Sequence, residues 1–171
     1  MITIIKNGIR KIFHICAVFL ARFALVSKIA QRIADYRRGN NNPDMSTNGE
    51  LDFFKKHAAG FRVAFDVGAN KGDWTREALK INPKLDIFAF EPDPAMCAEF
   101  KANSFPKNVV CENLGLGSKK EKRTLYIHKE SSGMNSFVKR SLFKDNELAP
   151  REVEITTVDI YCAGHRIDKI D

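Results

Sequence analysis

Between Asp66 and Glu91 the chain places a small set of residues whose types and spacing suit the binding of a nucleoside. Asp66, Gly68, Asn70 and Gly72 recur at every second position, and Glu91 follows 23 positions after Gly68. Glycines let a ligand approach the backbone closely. Asparagine is the non-glycine residue that best tolerates a positive φ. An acidic side chain roughly 20 residues past such a turn, at the tip of a second strand, reaches ribose hydroxyls. A carboxylate accepts two hydroxyl donors at once, which fits a ribose diol.

These residues need a scaffold, and the flanking sequence supplies one. Val63-Ala64-Phe65 is a short apolar run that reads as a buried strand leading into Asp66. After the turn, Asp73 reads as the cap of a helix with Trp74, Ala78, Leu79 and Ile81 as its apolar positions. That helix should stop near Asn82-Pro83, because the residue before proline avoids the α region. Leu85 to Phe90 reads as a second strand ending in Glu91-Pro92-Asp93-Pro94, and Pro94 opens a helix over Ala95 to Asn103. Asn108 to Glu112 reads as a third strand. Strand, helix, strand, helix, strand implies an α/β fold with a parallel sheet and right-handed crossovers.

The order Asp66-x-Gly68-x-Asn70-x-Gly72 departs from the G-x-G-x-x-G fingerprint of dinucleotide sites, which disfavours a nicotinamide cofactor. It resembles instead the S-adenosylmethionine turn of class I methyltransferases, with their Rossmann-like sheet. More narrowly, DVGANKGDW followed by FAFEPDP resembles the FkbM family. The resemblance runs from about Phe61 to the C-terminus. It implies that Asp66 steadies the turn or bonds the cofactor's amino end. It also implies that Gly68, Ala69, Asn70 and Gly72, with Asp73 beside them, contact the methionine portion. Glu91 would take the ribose hydroxyls, Pro92 and Asp93 would shape the adenosine rim, and Asn113 and Leu114 would flank the adenine. The family's activity implies O-methylation of a hydroxyl on a sugar, glycolipid or natural product, so the expected partner is a small-molecule or glycan acceptor. A non-catalytic, cofactor-binding or membrane-surface remnant is the alternative. No catalytic base is assigned: His14, His57, His128 and His165 form no cluster.

Past the third strand the pattern changes. Thr124 to His128 and Glu152 to Thr157 alternate like exposed strands without a helix between them, so they should pair antiparallel at the sheet's margin. Lys129 to Pro150 between them is polar and loop-like. By resemblance, its Ser131 to Phe137 segment lies near the substrate mouth. The final residues, Arg166 to Asp171, resemble the approach to a fourth family strand. The sequence is therefore expected to be a partial methyltransferase domain whose first strand lacks a neighbour on one side.

Composition bounds the rest. With 44% hydrophobic and 29% charged residues the 171-residue chain is ordinarily globular. Residues 1–48 are expected to form a basic amphipathic helix and linker, and 49–171 the partial domain. The whole net charge of +7 falls in residues 1–40, leaving twenty basic and twenty acidic residues beyond. A charge excess remote from the site argues against nucleic acid. Ile5, Ile9, Ile12, Cys16, Phe19, Phe23, Val26, Ala30 and Ile33 form one helical stripe over residues 3–37, which suits packing on the domain or on a partner helix, or peripheral contact with an anionic membrane surface. The run Ile15 to Ala21 is broken by Arg22 and falls short of the ~20 residues of a membrane span. Cys16, Cys97, Cys111 and Cys162 make no C-x-x-C pair, so neither a metal site nor a disulfide framework is expected, and a reducing, cytoplasmic setting fits.

Overall fold

The computed structural model describes residues 24–37 and 44–171. The chain divides into two units, 1–50 and 51–171. In the first, Ala24–Arg37 forms helix α1, and Gln31 Nε2 donates to Asp35 Oδ1 one turn on, at 3.1 Å. Ile29 and Ile33 lie exposed on it beside Lys28 and Arg32. The remainder of the expected stripe, residues 3–23, lies outside the described residues, as does the linker segment 38–43. No described helix is long and apolar enough to cross a membrane.

In the second unit, α2 (Glu50–His57) leads through a 3-10 turn into β1 (Val63–Val67). Then come α3 (Asp73–Ile81), β2 (Asp86–Phe90), α4 (Pro94–Ala102) and β3 (Val109–Glu112). The three strands are parallel, in the order β1-β2-β3, with Ala64 opposite Ile87 and Ala89 opposite Cys111. Alternation along the strands sends side chains to two faces. Ala64, Ile87 and Leu85 pack under Phe54 of α2, Ala58 of the 3-10 turn and Ala78 of α3. Ala89 and Cys111 pack under Cys97 and Phe100 of α4. Phe65, Phe88 and Phe90 face the other way, against Tyr161 of α5 (Val158–His165), with ring centroids 4.7–5.8 Å apart. The parallel sheet therefore lies between helices, as such sheets require.

Among the described residues, β1 has β2 as its only ladder partner. At its outer edge Asp171 donates its N–H to Val63 O at 3.0 Å, and its carboxylate accepts from Arg62 N at 2.7 Å.

The expected margin strands form a sheet of their own. β5 (Glu121–His128) and β6 (Leu148–Thr156) are antiparallel, and a two-residue strand β4 (Gly115–Leu116) pairs parallel with β6 on its other side. The pairing matches expectation and the placement does not. Gly115 packs closely where β4 meets β6: a Cβ there would stand 2.5 Å from Ile155 Cδ1, so any larger residue would make that side chain shift.

Candidate functional site

The turn after β1 is built as its residue types demand. Gly68, Asn70 and Gly72 have φ of 80°, 49° and 84°, all left-handed. Gly68 N and Ala69 N both donate to Phe90 O, which ties the turn to the tip of β2. The two glycines do different work. A Cβ on Gly72 would lie 2.7–2.8 Å from the rings of Phe100 and Phe105, so this glycine admits α4, not a ligand. A Cβ on Gly68 would meet nothing within 4 Å, so the turn is open at that position. Gly72 is also the N-cap of α3, with no side-chain cap. Asp73 is the first helical residue instead. Its carboxylate is largely exposed and pairs with Arg76 at 2.7 Å, because a left-handed glycine already turns the chain into the helix.

Glu91 is the centre of the arrangement. It is 6% exposed, with Oε2 accepting from Asn70 N and Oε1 from Asp93 N, both at 2.8 Å. Each oxygen keeps a second lone pair for a hydroxyl donor. Burial pushes its carboxyl above the usual glutamate range, and the two N–H bonds work against that rise. Asp66 is buried on the helix-covered face of β1 and accepts from Thr75 Oγ1 at 2.7 Å. Asp93 is buried as well. It caps α4 through Ala95 N and accepts from Asn135 Nδ2 at 2.8 Å, so its carboxylate braces the loop that lines the site. Asn113 donates to Glu91 O and Pro92 O, at 2.8 and 3.2 Å. Ala69 is buried, and Leu114 is half-buried beside Asn113.

The segment 131–137 reaches this corner. Ser132 Oγ accepts from Asn70 Nδ2 at 2.9 Å across 62 residues of sequence, while Asn135 binds Asp93 and accepts from His128 N. On the far side of Ser132 lies a cavity of about 590 Å³, bordered by Lys71 and Asp93 and by β5 and β6, but not by Gly68 or Glu91. No group of three or more metal-ligating side chains exists among the described residues.

The model of the methyltransferase FkbM domain matches residues 66–171, beginning at the aspartate of the turn. This chain belongs to the FkbM methyltransferase family. It is 29% identical over 82 residues to the 2-O-methyltransferase NoeI of Sinorhizobium fredii (strain NBRC 101917 / NGR234). That match covers 48% of this chain and 34% of the relative, so the chain spans about a third of the relative's length. A crystal structure of the methyltransferase FkbM from Methylobacillus flagellatus KT aligns with 78% of this chain and 39% of its own, at 10% identity and a TM-score of 0.33. Within the family domain, sequence reasoning missed Thr75, whose helical spacing from Asp66 held no visible signal. It also missed the clamp of Asn103 Nδ2 on Lys71 O at 2.9 Å.

Proposed function

We propose that the turn Gly68–Gly72 and Glu91 hold S-adenosylmethionine, and that the chain serves O-methylation of a hydroxyl on a sugar, glycolipid or natural product. The observation that carries this reading is the Glu91 carboxylate, buried and held by Asn70 N and Asp93 N next to a turn that is open at Gly68. The 2-O-methyltransferase activity in the relative's name supports the choice of a hydroxyl oxygen as acceptor.

When bound, such a cofactor would supply an electrophilic methyl group to the acceptor oxygen, the C–S bond electrons staying on sulfur and the hydroxyl proton passing to solvent. The chain's own contribution is positioning and desolvation. Glu91 is preorganised, because neither oxygen has to reorient to accept a diol. Asp66 and Thr75 fix the start of α3 against the turn, and Gly72 seats the turn on Phe100.

Titration calorimetry with S-adenosylhomocysteine and, separately, NAD tests the reading. Binding of the first and not the second is expected, with at least about tenfold loss in Glu91→Ala, one charge-assisted hydrogen bond's worth. Tighter binding of NAD, or no binding of S-adenosylhomocysteine, overturns it. For the basic segment 3–37 we propose peripheral contact with anionic lipid. The exposed Ile29 and Ile33 beside Lys28 and Arg32 support this, and liposome flotation across salt checks it. Equal partitioning to neutral vesicles removes the electrostatic idea.

A further inference from the structure

The cavity beyond Ser132 differs in chemistry from the turn it adjoins. Its apolar lining includes Met96 and Ile127, both half-buried, with exposed Pro150. Its rim carries Lys71, Lys129 and Arg151. Two acids border it, and one is already committed. Asp93 Oδ1 accepts from Ala95 N and Oδ2 from Asn135 Nδ2, so little of its acceptor capacity faces outward. Glu130 is exposed.

The three cations are not equivalent. Lys71 pairs with Glu99 at 3.0 Å, and Lys129 Nζ donates to Asn146 O at 2.6 Å. Arg151 makes no hydrogen bond or ion pair with any described residue, so its guanidinium keeps all five donors. His128 also borders the cavity. Its Nδ1 accepts from Glu130 N at 3.3 Å, which places the ring proton on Nε2. In that tautomer His128 adds a further N–H donor. A cavity of this volume is in the range of small-ligand sites. Its donors outnumber its open acceptors; of its charges, Glu130 and Arg151 have no side-chain partner among the described residues, and the guanidinium is the group best shaped for a bidentate oxyanion.

Resting on the methyl-transfer reading, we infer that this cavity is the acceptor pocket and that it selects a hydroxylated acceptor carrying an oxyanion, a carboxylate or a phosphate, which Arg151 binds. The apolar lining takes the carbon face of a sugar ring. The cationic rim takes its acidic group, and the pocket's lining meets Asn70 through the Ser132 hydroxyl and the Lys71 N–H.

The test is ligand-observed NMR on the 171-residue protein with glucuronate, glucose 6-phosphate and glucose, each with and without S-adenosylhomocysteine. Binding of one or both acidic sugars about tenfold more tightly than glucose is expected, since one charge-assisted pair carries about that factor. Which of the two wins identifies a carboxylate or a phosphate as the source. Arg151→Gln should erase the preference with the fold intact by circular dichroism, and Arg151→Lys should restore part of it. Equal binding of the three sugars overturns the inference, and so does a preference unchanged in Arg151→Gln. Those failures differ from failure of the cofactor reading, which is loss of S-adenosylhomocysteine binding in the wild-type protein.

Discussion

The two sheets of the second unit hold their polar groups in opposite ways. In the parallel sheet, Asp66, Glu91 and Asp93 are buried carboxylates, each with a donor from the chain itself within 3.0 Å. On the second sheet, charge is of both signs and largely exposed, with Lys119–Glu121 and Lys122–Glu152 paired at 3.0 Å and Arg151 unpaired among the described residues. Burying a charge is tolerable only when it is hydrogen-bonded, so the first arrangement is rigid by necessity. The second costs little to hold and little to rearrange.

The comparison breaks most readily at Gly72. Gly72→Ala forces a Cβ against Phe100 and Phe105 and strains a φ of 84°, so it should cost roughly 3 kcal/mol in urea denaturation. Gly68→Ala bears only the strain of its φ, about 1 kcal/mol, with its main effect on S-adenosylhomocysteine affinity. Equal losses in the two variants would merge roles that the structure separates.

Glu91→Gln turns one acceptor into a donor facing a backbone N–H and should cost about 2 kcal/mol. It also carries a pH signature. Burial raises the folded pKa of Glu91, so the folded protein binds that proton more tightly than the unfolded chain. Its contribution is full below about pH 4.3 and is lost as pH rises through the raised value. The stability gap between wild type and Glu91→Gln should therefore narrow with rising pH. A gap that widens would reverse the assigned cause.

Ser132→Ala and Asn135→Ala sharpen the other half. Each removes one partly buried hydrogen bond from the loop to the corner and should cost about 1 kcal/mol or less. Losses as large as that of Gly72→Ala would make the loop part of the rigid corner. Smallest is a difference in reactivity. Burial pushes the Cys111 thiol up, with Cys97 sulfur 3.3 Å away, while Cys162 is half-buried on α5. Among these three, mass-spectrometric mapping of iodoacetamide labelling should find Cys162 modified first, by about tenfold in rate.

Much of the parallel half was legible in the chain because its signals are local. Apolar runs, the glycine-asparagine turn and the prolines at 83 and 94 set β1 to β3 and their helices to within a residue or two. The second sheet was half-legible. Alternation located β5 and β6, but β4 is two residues long, too short for any period, and so the separate sheet was invisible. Asp73 was misread as a cap because its composition fits and the competing backbone solution at Gly72 leaves no side-chain signature. The bonds of Ser132 to Asn70 and Asn135 to Asp93 span 62 and 42 residues, a distance at which neither propensity nor spacing speaks.

Asn70 is held twice, by its backbone N–H to Glu91 and by its amide to Ser132. One residue thus links the two halves of the proposed site, so occupancy of one should be felt at the other. On the methyl-transfer reading the two reactants should bind in a preferred succession, visible in product-inhibition patterns, and Asn70→Ala should convert that succession to random entry.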